Sequence, residues 1–271
     1  MYLLFYIFYR GVLALYNLLF VLNIIKIHRF SVPVVSVGNI SIGGTGKTPF
    51  VQYLSKLLIR HNIKPVIISR GYKKKGRGTC VVHNGTKKLN VSPSVCGDEP
   101  FMLACELNNV PIVVDSKKTR GISFAIEKFN PQVVILDDSF QSKYIQKDLE
   151  IVLFNTLDTT QDLKIFPFGK LRENIFSLCR ANLVVFTKHN LKSIKKQALD
   201  IVLPIIQKNK TPYIYSEIHS SLIQFFLGNS KPYCWGESVR VKNISKEQKL
   251  FSFCGIGDPD SFLQTTKPYE K

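Results

Sequence analysis

The chain has 271 residues, 45% of them hydrophobic, which supplies a core for one large or two modest domains and excludes a disordered chain. Its 37 Lys and Arg against 19 Asp and Glu leave a net charge of +18, which favours an anionic partner: nucleic acid, an anionic membrane surface or a phosphorylated substrate. Six scattered cysteines without a C-x-x-C pair argue against a zinc site and fit a reduced cytosolic compartment.

The charge is unevenly placed, because Asp98 is the first carboxylate and residues 1–97 carry 14 Lys and Arg with no acid. Residues 2–25 are almost continuously apolar, long enough to span a bilayer. On a helical wheel, however, Tyr2, Tyr6, Tyr9, Arg10, Tyr16, Asn17 and Asn23 share one arc. Tyrosine beside Arg and Asn suits a headgroup region, so residues 1–30 are expected to form an amphipathic helix lying in the membrane surface. No small-residue cleavage site follows, which argues against a secretory signal.

The β-branched run Val32 to Val37 reads as a buried strand stopping at Gly38. Gly43, Gly44, Thr45, Gly46, Lys47 and Thr48 then run into Phe50, Val51, Leu54, Leu57 and Leu58, apolar at helical spacing. Strand, glycine-rich turn and helix make a phosphate loop. Its N–H groups converge on an anion at a helix N-terminus, with Lys47 reaching the β/γ-phosphates and Thr48 ligating Mg²⁺. The strict G-x-x-x-x-G-K-[ST] pattern needs glycine where this chain has Ser41, and the neighbouring glycines supply the freedom instead.

A second strand, 65–69, ends at Arg70-Gly71-Tyr72 and a basic loop over 73–78, at the sheet edge where α/β proteins build sites. Asp98-Glu99 opens an apolar helix; these acids suit a helix start, and one could accept a proton from a substrate hydroxyl. Strand 111–114 precedes Lys117, Lys118 and Arg120, and strand 132–138 ends in Asp137-Asp138, a Walker B pattern for Mg²⁺. With a fifth strand at 149–154, the alternation predicts an α/β fold: a P-loop doubly wound parallel sheet over residues 31–154. Residues 155–180 read as a linker to a second, smaller α/β domain over 181–271. That domain should hold strands at 181–187, 212–216 and 249–255, a Lys-rich helix at about 191–203, and a helix start at 258–262.

Taken together, these motifs resemble the tetraacyldisaccharide 4′-kinase family. The carrying residues are Val37-Gly38-Asn39 with Gly43 to Pro49, Ser69-Arg70-Gly71-Tyr72, Gly97-Asp98-Glu99-Pro100, Asp137-Asp138 with Gln141, Leu171-Arg172-Glu173, and Gly255-Ile256-Gly257-Asp258-Pro259. The resemblance implies ATP- and Mg²⁺-dependent phosphorylation of the 4′-hydroxyl of a tetraacylated disaccharide 1-phosphate, giving lipid IVA. It implies an N-terminal helix reaching the acyl chains at the cytoplasmic face of the inner membrane, with no nucleic-acid partner. Carried over by motif, Lys47 and Thr48 hold ATP and the metal, and Asp137 and Asp138 form the acidic pair at the metal. Asp98 takes the proton from the attacking hydroxyl, with Lys47, Asp138 and Arg172 completing the catalytic set. Asn39, Arg70, Tyr72, Glu99, Arg120 and Glu173 are the expected substrate contacts. Where the family reads Asp-Asp-Gly-Leu-Gln-His, this chain has Asp137-Asp138-Ser139-Phe140-Gln141-Ser142. The family's later histidine, partner of the catalytic Asp, has no counterpart after His219, so the expectation is a shortened member with impaired or lost activity.

Two other readings share the phosphate loop: a membrane-associated partition-type ATPase, and a nucleotide-binding remnant of the kinase family. The partition proteins carry a lysine just before Gly-Gly, where this chain has Ile42. A purely nucleic-acid-binding protein would interleave stacking aromatics with its basic runs, a pattern not found here.

Overall fold

The computed structural model describes residues 2–72, 74–76, 78–191, 197–217, 222–225 and 238–241. The chain opens with α1 (Tyr2–Val21) and then builds strands and helices in near-strict alternation. In order these are β1 (Val34–Asn39), α2 (Lys47–Arg60), β2 (Pro65–Ser69), β3 (Cys80–Asn84), α3 (Pro93–Cys96), α4 (Asp98–Glu106), β4 (Pro111–Val114), α5 (Lys118–Phe129), β5 (Val133–Asp137) and β6 (Leu149–Asn155). After a 3₁₀ turn at Ile175–Arg180 come β7 (Leu183–Thr187), α6 (Gln197–Lys208), β8 (Tyr213–Tyr215) and the antiparallel pair β9 (Leu222–Phe225) and β10 (Ser238–Val241).

One eight-stranded sheet runs β3-β4-β2-β5-β1-β6-β7-β8. All neighbours are parallel except β3, which lies antiparallel on β4. Central strands are covered on both faces, so they read as continuous Val/Ile/Leu runs. Alternate residues serve opposite layers: Val37, Ile67, Val114 and Ile135 pack in one core cluster, and Val34, Val66, Val113 and Val134 in another. A third cluster sets Ala198, Leu199, Val202 and Ile206 of α6 against Val152, Phe154, Val184 and Phe186. Each fully buried side chain of this kind stabilises the fold by about 1.5–3 kcal/mol before entropy is set against it.

The expected domain boundary at 181 does not divide the sheet. β7 pairs with β6 from Ile151↔Leu183 to Asn155↔Thr187, and β8 pairs with β7. The reason is apolar burial, since Val184, Val185 and Phe186 are fully buried against the first domain's strands. The expected linker is also tied in: Ile42 N–H donates to Lys170 O and Arg172 N–H to Ile40 O, both at 2.7 Å. β3 lies where no strand is expected, and the Lys-rich helix expected at about 191–203 is described from Gln197 and continues to Lys208, with Pro204 inside it. The expected strand at 249–255, the helix start at 258–262 and the Gly255–Pro259 motif lie outside the described residues.

Tyr6, Tyr9 and Asn17 of the polar arc on α1 face protein rather than headgroups. Tyr9 Oη donates to Arg172 O at 2.8 Å, Tyr6 packs edge-on against Phe168 with centroids 5.2 Å apart, and Asn17 Oδ1 accepts from Lys143. Phenol and amide tips find fixed partners there. That docking leaves Leu3, Leu4, Ile7, Phe8, Leu15, Leu18 and Val21 exposed along the helix. The stretch Leu3–Val21 is long and apolar enough to cross a membrane by length and composition, and none of it is buried.

Candidate active site

The site begins where β1 ends. Asn39 is fully buried, and its Nδ2 donates to Thr45 Oγ1 at 3.0 Å, folding residues 39–45 into a closed loop. Thr45 O is held from the far side by Thr187 Oγ1 at 3.1 Å. Gly46 caps α2 at φ 82°, a conformation that favours glycine, and no side chain caps the first turn. The helix N-terminus therefore keeps its N–H groups for an anion, with Lys47 and Thr48 as its first residues.

Beside this loop stands the end of β5. Val37 of β1 lies opposite Asp137, so parallel register alone carries the acidic pair to the phosphate loop. Asp138 Oδ1 lies 3.6 Å from Lys47 Nζ, and Arg172 Nη1 donates to its two oxygens at 3.1 and 3.2 Å. Burial pushes the Asp138 carboxyl up, but Lys47, Arg172 and Lys118 outweigh it and hold its pKa below the usual value. Asp137 is buried, and its pKa is pushed up to about 6, first by burial and then by the charge of Glu99, against the pull of Lys118 and Lys47. Its Oδ2 accepts from Ser69 Oγ at 3.3 Å, while Oδ1 is buried without a partner. A buried carboxylate oxygen left bare is costly unless a cation completes it. No three acids, histidines or cysteines among the described residues could hold a metal by themselves. The donor set of Thr48, Asp137 and Asp138 therefore suits Mg²⁺ that arrives with a nucleotide and takes its remaining ligands from phosphate and water.

A third wall comes from two glycines. A Cβ on Gly71 (φ 67°) would lie 2.3 Å from Val114 Cγ1, and one on Gly97 would lie 3.2 Å from Gly71 Cα. Backbone thus touches backbone, which sets Arg70 and Tyr72 beside Asp98 and Glu99, the exposed first residues of α4.

The family model described as tetraacyldisaccharide-1-P 4′-kinase matches residues 1–269. The chain belongs to this family. The tetraacyldisaccharide 4′-kinase of Desulfotalea psychrophila is 34% identical over 254 residues, covering 94% of this chain and 70% of that protein. The Aquifex aeolicus kinase is 33% identical over 268 residues, covering 96% and 74%. A crystal structure of Aquifex aeolicus LpxK in complex with ATP aligns at a TM-score of 0.70 and 31% identity over 98% of this chain and 77% of that one.

Among the 4′-kinase motif residues, Lys47, Asp137, Asp138 and Arg172 come together, and Glu99 is close enough for its charge to raise Asp137. Three expected substrate contacts have partners within the protein. Asn39 is buried under the loop that it shapes. Arg120 is held by Asp115 through Nε and Nη2, both at 2.8 Å. Glu173 is buried and paired with Lys143 at 3.2 Å and Arg180 at 3.0 Å, so it anchors the strand-like segment that carries Arg172. For Arg120 and Glu173 a charge has found a nearby opposite charge, a pairing that spacing along the chain does not reveal.

Sequence reasoning missed Lys118. It is 2% exposed, and its Nζ donates to Asp137 O and Asp138 O at 2.7 Å and to Ser139 Oγ. Burial lowers its pKa to about 8, against the pull of Asp137 and Asp138. The signal available was its position just past the carboxyl end of a buried strand, shared with Lys117 and Arg120.

Proposed function

We infer that this chain is an ATP-dependent tetraacyldisaccharide 4′-kinase of lipid A biosynthesis. The observation that carries it is the family match over residues 1–269, which decides against the partition-type ATPase. The assembled phosphate loop and acid pair supply the matching chemistry.

Phosphoryl transfer needs positioning and charge neutralisation more than covalent catalysis. The loop from Gly43 to Gly46 cradles the ATP phosphates, and Lys47 and Arg172 neutralise charge that builds on the transferred group. Thr48, Asp137 and Asp138 would hold Mg²⁺, which would supply positive charge against the phosphates. Asp98 accepts the proton of the 4′-hydroxyl, with Glu99 beside it, while Arg70 and Tyr72 line the acceptor's approach. Asp138 pairs with Lys47 and Arg172, which holds these two cations beside the phosphate loop.

The acceptor carries acyl chains, and an open cleft of about 490 Å³ lies between α1 and residues 161–176, lined by Tyr6, Arg10, Leu163, Ile165, Phe168 and Phe176. Its mixed walls and the bare apolar face of α1 support a helix resting on the cytoplasmic face of the inner membrane, so that the lipid reaches the site without leaving the bilayer.

The test is transfer from γ-labelled ATP to tetraacyldisaccharide 1-phosphate in mixed micelles. Wild type should label the lipid, and Asp98→Asn should lower kcat by about 10²- to 10⁴-fold with ATP affinity within about twofold. Unlabelled lipid from folded, ATP-binding wild type would overturn the kinase reading.

A further inference from the structure

We propose that Lys118 is a positioning residue for this reaction. Paired with Ser139, it holds the Asp137-Asp138-Ser139 turn so that the acid pair meets the phosphate loop and its metal. The proposal rests on the kinase reading for its meaning, but its geometry stands independently.

An ammonium has three protons, and here each meets an oxygen from three successive residues: Asp137 O, Asp138 O and Ser139 Oγ. Ser139 Oγ in turn donates to Asp137 O at 3.2 Å, which closes the turn on itself. The residue between the two gripped carbonyls, Asp138, has φ 46°. That left-handed conformation is unfavourable for a residue with a side chain and persists only where its surroundings hold it. Lys118 grips the main chain of Asp138 while Lys47 and Arg172 grip its carboxylate. The aspartate is thus fixed at both ends.

Lys118 is itself placed with care. Asp115, fully buried at the end of β4, accepts from Lys117 N at 2.8 Å and pairs with Arg120, which fixes the first turn of α5 on either side of Lys118. Burying an ammonium is expensive, and an apolar residue of similar size would cost less if only packing were needed. Ser139 completes the grip, since its hydroxyl is the third oxygen that the ammonium meets.

Groups that orient metal ligands without touching the metal typically alter its affinity by about 10- to 100-fold. The experiment titrates Mn²⁺ by electron paramagnetic resonance in the presence of a non-hydrolysable ATP analogue, and measures kcat in the lipid assay. Lys118→Met should weaken Mn²⁺ binding about 10-fold and lower kcat at least as much, with metal-free binding of a fluorescent ATP analogue within about twofold. Ser139→Ala should weaken Mn²⁺ by about threefold, and the double variant should be no worse than Lys118→Met alone, because both act on one turn. A folded Lys118→Met protein with Mn²⁺ affinity and kcat within about twofold of wild type overturns the proposal. Should Lys118→Met not fold, Ser139→Ala decides, and unchanged Mn²⁺ affinity there overturns it as well. The Mn²⁺ arm needs no lipid, so a wild type that binds Mn²⁺ and ATP but labels no lipid sinks the kinase reading alone.

Discussion

The most exacting residue in the site is Asp137, because it is a carboxylate with one bare oxygen in a buried place. Its folded pKa of about 6 stands above the ordinary 3.8, so the folded protein binds this proton more tightly than the unfolded chain does. The stabilisation is fully present below the unfolded value and is lost as pH rises through about 6. Above that, ionised Asp137 costs the metal-free protein on the order of 3 kcal/mol. Asp137→Asn should therefore unfold later than wild type in urea with EDTA at pH 8, by about 1–2 kcal/mol once the new amide's unmet hydrogen bonds are allowed for. The gap should close by pH 4, and the same variant should lose activity. An Asp137→Asn protein less stable than wild type at pH 8 would contradict the burial argument. The cost fits a residue whose task is to wait for a cation.

Among the elements, the close contact between Gly71 and Gly97 positions two loops at once. Their approach joins the loop after β2 to the start of α4, and so Tyr72 to Asp98. Gly71→Ala must place a methyl 2.3 Å from Val114 Cγ1 at φ 67°, and it should cost about 2–4 kcal/mol in urea unfolding. Its kcat should fall further than ATP affinity does, because the phosphate loop lies on a different strand. Gly46→Ala at φ 82° has open space around it and should strain only the loop, which separates steric from conformational effects. The helix α1 works differently, since its docked face carries tyrosines and its free face is apolar. Replacing Leu4, Phe8 and Leu15 together with Ser should abolish sedimentation with anionic vesicles and leave ATP binding unchanged. Retained vesicle binding would remove α1 from the membrane role.

Across the whole molecule, charge and topology cooperate. Most of the excess of positive charge lies in the first 97 residues, the part that bears α1, the phosphate loop and the Arg70 loop. Association with anionic vesicles should weaken several-fold between about 0.05 and 0.5 M salt, because exposed charges are screened beyond the Debye length. Binding to neutral vesicles should be weaker and nearly indifferent to salt, and equal salt sensitivity on both would argue against a charge-steered surface. The sheet unites what charge spreads out, since β1, β5, β2 and the Arg172 segment deliver residues separated by more than a hundred positions to one edge.

Much of this was legible in the amino-acid order because its signals are local. A run of Val and Ile ending at glycine, then Gly-Lys-Thr and a periodic apolar stretch, specifies strand, phosphate loop and helix within about thirty residues. Asp137-Asp138 at a strand end and Asp98-Glu99 at a helix start are legible for the same reason, and the family resemblance rests on such pieces in order. Only the tertiary structure decided which charges meet. Asp115 takes Arg120, Glu173 takes Arg180 and Lys143, and Lys118 alone of its basic trio turns inward to the Asp138 turn. It also decided that β7 and β8 extend one sheet and that Tyr6 and Tyr9 of α1 face protein. Such outcomes depend on distances across the fold, where electrostatics and burial compete among many partners, and no local spacing encodes the winner.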